Sequence, residues 1–96
     1  MQYDWIKIIK DHYARTGKQW PTPEQALLWV ATELGEAADC CLTWTPGWVR
    51  NNPDKHPVAT EEQFAEELGD IIMMTLVAGI VVGVDPLEAL YRKLGE

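Results

Sequence analysis

Bases are scarce in this chain: 8 Lys and Arg stand against 15 Asp and Glu, for a formal net charge of −7. A surface of that sign repels phosphate backbones and anionic lipid, which argues against nucleic-acid and membrane-surface binding. A triphosphate is still within reach if divalent cations carry it. Cysteine is limited to Cys40 and Cys41, whose adjacency allows at best a strained pairing. Reduced thiols in the cytoplasm are therefore expected. The N-terminus, Met-Gln-Tyr-Asp-Trp-Ile-Lys, lacks the basic start and apolar segment of a secretion signal. No uncharged apolar run reaches the roughly 20 residues of a bilayer span. Fixed-period repeats, low-complexity tracts and strand alternation are also missing, as is the Glu-x-x-His of di-iron carboxylate bundles.

What is present is one stretch of 96 residues, 47% hydrophobic, read as a single domain over residues 1–96. Alone, a domain of that size buries only about 60 to 65% of its unfolded surface, and oligomerisation is the expected remedy.

The chain is organised around residues 61–84, an acidic opening that runs directly into an apolar finish. From Ile71 to Val84 only Thr75 is clearly polar and no proline intervenes, so the pattern predicts a helix that needs cover on every side. At the entry to its apolar part stand Glu67 and Asp70, three residues apart and so on one helical face. Glu33 and Glu36 repeat the spacing within a second apolar segment, Leu27 to Leu42. If the two helices pack antiparallel, the four carboxylates converge. Carboxylates held together away from water must be protonated, paired or bound to a cation. With no His or Cys placed beside them, the natural partner is a hard, oxygen-seeking ion such as Mg²⁺ or Mn²⁺. Gly35 and Gly69 occupy equivalent places inside the two motifs, either for close backbone approach, to leave room for a metal, or as tolerated glycines.

The remaining elements follow from caps and periodicity. Residues 2–15 form a short amphipathic helix with Trp5, Ile8, Ile9 and Tyr13 near one stripe, closed at Gly17. Thr22 followed by Pro23 starts a second helix that runs to Leu42 or Thr43. Residues 44–59 hold three prolines and two tryptophans, and read as a loop in which Trp44 and Trp48 cover either the end of the bundle or a flat ligand. Arg50, Lys55 and His56 are surface bases within reach of phosphate. A third helix is expected from Thr60, with Gln63 completing a capping box, to about Gly83. Asp85-Pro86 repeats the cap-plus-proline start for a last helix ending near Leu94, whose Arg92 and Lys93 suit the helix dipole. The fold class is therefore all-α, a bundle of four elements.

Glu33-Leu-Gly-Glu36, followed after 30 intervening residues by Glu67-Leu-Gly-Asp70, resembles the paired acid motifs of the MazG-like all-α nucleoside triphosphate pyrophosphohydrolases. The ending Gly-Val-Asp-Pro-Leu-Glu-Ala-Leu-Tyr-Arg-Lys-Leu is similar to that family as well, and the likeness covers roughly residues 20–94. It implies a four-helix MazG-like bundle that completes its core as a homodimer or a dimer-of-dimers tetramer. The implied activity is hydrolysis of a (deoxy)nucleoside triphosphate to monophosphate and pyrophosphate, in nucleotide-pool housecleaning, with Mg²⁺ as cofactor or Mn²⁺ in its place. Glu33, Glu36, Glu67 and Asp70 are the implied metal ligands, with Glu36 and Glu67 catalytic. Lys93 matches a phosphate-holding lysine, and Trp44 falls near an aromatic that takes the base. Two alternatives stay open: a phosphoribosyl-ATP pyrophosphohydrolase, and a noncatalytic helical dimerisation module whose acids bind a stabilising cation.

Overall fold

The computed structural model describes residues 3–44 and 61–95, with side chains of residues 40–44 excepted. The described residues are helical almost throughout and contain no strand: α1 is Trp5–Thr16, α2 Pro23–Trp44, α3 Glu61–Val82 and α4 Pro86–Gly95. No single helix among them is long and apolar enough to cross a membrane.

Three of the helix starts, those of α1, α2 and α4, are set by a local side chain. Asp4 accepts a hydrogen bond from the Lys7 backbone N–H at 3.2 Å, so α1 begins at Trp5 rather than at residue 2. Its end is turned by Gly17 at φ 69°, the left-handed region that glycine enters without strain. At the start of α2, Gln25 N–H donates to the Thr22 hydroxyl at 3.2 Å while Thr22 N–H donates to the Gln25 side-chain oxygen at 3.0 Å. This reciprocal box satisfies two otherwise orphaned donors, and Pro23 takes the first helical position. Asp85 caps α4 by accepting from Leu87 and Glu88 N–H.

α2 and α3 form the principal packing pair, and α1 and α4 each lie against α3. Glu33 meets Glu67 and Asp70, whereas Ala26, nearer the start of α2, shares a core with Met74, Leu76 and Val77, nearer the end of α3. The two helices are therefore antiparallel. The seam between them is made by Ala26, Val30, Glu33 and Ala37 on α2 and Glu67, Asp70, Met74 and Val77 on α3, all buried or half-buried. Both sets follow the three-and-four spacing that keeps residues on one helical face. Alanines at 26 and 37 are fully covered and let the helices approach. Thr75 does not leave its hydroxyl unpaired, because it donates to the Ile71 carbonyl at 2.7 Å.

Of the three roles open to Gly35 and Gly69, close approach is not the one seen: among the described residues a methyl group at either would meet nothing within 4 Å beyond its own stretch of helix. The tight glycine is Gly79, where a Cβ would lie 2.6 Å from the Pro86 ring and 2.9 Å from the Val84 carbonyl oxygen. The α1 stripe also divides: Ile9 and Tyr13 are buried, but Trp5 and Ile8 are exposed and line a cleft of about 780 Å³ with Ile72 and Met73 of α3. Tyr13 is covered by Trp20, whose ring stacks on it at 3.9 Å and 7° and ties the connection between α1 and α2 to the core.

Candidate metal centre

Three of the four acids share one place. Carboxylate oxygens of Glu33, Glu67 and Asp70 lie within 4.8 Å of one another, and all three residues are half-buried. The helical spacing explains the pair on α3, and the antiparallel register brings Glu33 opposite it. These are positions in the α2–α3 seam that a purely structural helix pair fills with apolar side chains. Instead, Oε2 of Glu33 and Oε2 of Glu67 are each buried without a hydrogen-bond partner.

That arrangement has an electrostatic consequence. Burial first, and then the neighbouring carboxylates of Glu36, Asp70 and Glu67, push the Glu33 carboxyl above its ordinary value. Glu67 is raised in the same way, by burial first and then by Glu36 and Asp70. Among the described residues, the influences on the two groups are desolvation and neighbouring carboxylates, all of which raise them. Three converging carboxylate donors, two of them with a buried unpartnered oxygen and none joined by a His or Cys among the described residues, suit a hard divalent cation of the Mg²⁺ or Mn²⁺ type.

Glu36 takes a different position from the other three. It is exposed at the rim, outside the converging group, but close enough for its charge to help raise both Glu33 and Glu67. The site is thus three acids in a seam with a fourth at its mouth. Lys93 is exposed near the end of α4 and is not among the groups acting on the cluster. Trp44 closes α2 three turns beyond Glu33, and its side chain lies outside the described residues. Trp48, Arg50, Lys55, His56 and the Thr60 cap also lie outside them.

Compared with known proteins, the chain matches no protein-family model, no curated protein and no solved structure.

Proposed function

We propose that this chain is a divalent-metal-dependent nucleoside triphosphate pyrophosphohydrolase that cleaves between the α and β phosphates, releasing monophosphate and pyrophosphate in nucleotide-pool housecleaning. The observation that supports it is the placement of Glu33, Glu67 and Asp70 in the helix seam, with buried oxygens that no protein group satisfies. An acid cluster that costs stability at a core position calls for a role outside the fold.

In this reading Glu33, Glu67 and Asp70 would hold Mg²⁺, or Mn²⁺ in its place. A divalent ion there would neutralise phosphate charge and acidify a bound water. Glu36, at the solvent edge of the same cluster, orients the attacking water and accepts its proton. Glu67, whose carboxyl is raised in part by the charge of Glu36, belongs to the same catalytic group. Trp44 on the last turn of α2 takes the base, and Lys93 contributes to phosphate binding. The acidic balance of the chain leaves the triphosphate dependent on metal rather than on a basic surface.

The test is release of pyrophosphate and monophosphate from common and modified nucleoside triphosphates with Mg²⁺ or Mn²⁺, beside Glu67→Gln. Metal-dependent pyrophosphate release that the variant loses while staying folded is the expected result. Silence across the panel, from folded protein that binds metal, would redirect the assignment to phosphoribosyl-ATP or to a noncatalytic helical module.

A further inference from the structure

We infer that the cleft between α1 and α3 is a binding site for a free aliphatic monocarboxylate, its chain held between the two helices and its carboxylate met by Arg15 and His12. The inference uses none of the four clustered carboxylates and does not rest on the reaction proposed above.

The cleft has a volume of about 780 Å³, within the roughly 300 to 1,000 Å³ of sites that enclose small molecules. Among the described residues its lining comes from α1, α3 and the start of α4, and none of it from α2. Trp5 and Ile8 on α1 face Ile72 and Met73 on α3, and Leu87 of α4 joins them. Ile8 is 43% exposed, Ile72 59% and Met73 41%, so the walls stand apart rather than covering one another. Gly69 adds a stretch of wall without a side chain, and a Cβ there would meet nothing within 4 Å beyond its own helix. An apolar chain laid between these walls removes aliphatic surface from water on both sides.

The charged groups of the cleft are on α1, and they are not equivalent. Asp11 is already neutralised by Lys7, whose Nζ lies 2.9 Å from its carboxylate. Arg15 has no carboxylate partner among the described residues, and its guanidinium contacts Nδ1 of His12 at 3.4 Å. A guanidinium only donates, so Nδ1 accepts and the neutral ring carries its proton on Nε2. Arg15 and His12 therefore offer N–H donors from one turn of α1. The wider charge pattern agrees. Residues 3–22 hold four bases, Lys7, Lys10, Arg15 and Lys18, against two acids, Asp4 and Asp11, a local balance of +2 in a chain of net charge −7. An anion is drawn to that wall, and a carboxylate matches the planar fork of the guanidinium. One unpaired guanidinium balances one negative charge, which favours a monoanion over a polyphosphate.

Octanoate is the probe, and octanol its uncharged match. Titrated into the full chain and followed by amide NMR, octanoate should bind one to one and move the signals of Ile8, His12, Arg15, Gly69 and Ile72. Octanol on the wild type, and octanoate on Arg15→Gln, should each bind at least about 10-fold more weakly, the loss expected for a charge-assisted hydrogen bond. Gly69→Leu, which fills the open stretch of wall, should abolish binding. In case that variant does not fold, the wild-type signal map decides by itself. Absence of saturable binding, signals that move elsewhere, equal affinity for octanol, or octanoate affinity unchanged in Arg15→Gln or in folded Gly69→Leu would overturn the inference. So would binding seen only with vesicles that contain oleate, which would place the ligand in a bilayer rather than free in solution.

Discussion

Glu33 and Glu67 face each other across a helix seam that is apolar on one side of them, and each keeps one buried carboxylate oxygen without a partner. Two charged groups placed this way weaken the fold until something neutralises them. Protons and a divalent cation compete for that role, which makes the pair readable by titration.

The first prediction concerns pH. Both carboxyls bind protons more tightly in the folded chain than at their ordinary value of 4.5. Their effect on stability is therefore least unfavourable below that value and grows as pH rises from it through the raised folded values. In Glu33→Gln or Glu67→Gln the metal-free melting curve should be flatter over this window than in the wild type. Mg²⁺ at neutral pH should raise the wild-type Tm and leave the variants nearly unchanged. Equal pH dependence in all three proteins would contradict the electrostatic account.

The second separates the rim from the seam. Glu36→Gln should keep most of the metal affinity, since Glu36 lies outside the converging group, but lose on the order of 100-fold in turnover if it is the base. Glu67→Gln should weaken metal binding itself. Isothermal titration with Mn²⁺ beside turnover distinguishes them, and equal loss of affinity in both would place Glu36 among the ligands.

A third prediction addresses the α3–α4 corner. Gly79→Ala forces a methyl group against the Pro86 ring and the Val84 carbonyl, and should cost about 1 to 3 kcal/mol of stability in chemical denaturation. An unchanged midpoint would mean that this corner moves freely.

Gly35 provides the opposite case. Its Cβ position is open and it lies inside α2, so Gly35→Ala should stabilise the chain by about 0.5 to 1 kcal/mol through helix propensity alone. Destabilisation would show that the glycine serves a close contact, one of the roles the sequence pattern left open.

The helix boundaries were legible because their signals are short-range. Thr22-Pro23, Asp85-Pro86 and Gly17 act within one turn, and the structure places starts and a stop at those residues. Asp4 escaped notice although it sits three residues before the N–H it caps, the spacing that marks such a cap. Gly79 could not be singled out, because its constraint comes from a proline in the next helix rather than from its neighbours in α3. The two motif glycines drew attention by their symmetry, and symmetry says nothing about what lies opposite a side chain.

By itself the sequence determined the all-α class, the four helices and the placing of each acid pair on one face, because backbone periodicity and capping are local properties. The tertiary structure decided how the two faces meet. The antiparallel register of α2 and α3 set Glu33 beside Glu67 and Asp70, left Glu36 at the rim and did not bring Lys93 into the cluster. That register depends on which side chains fill the seam, with small Ala26 and Ala37 on one helix and Met74 and Val77 on the other. Packing between segments distant in the chain is a collective choice, and no spacing within either segment encodes it.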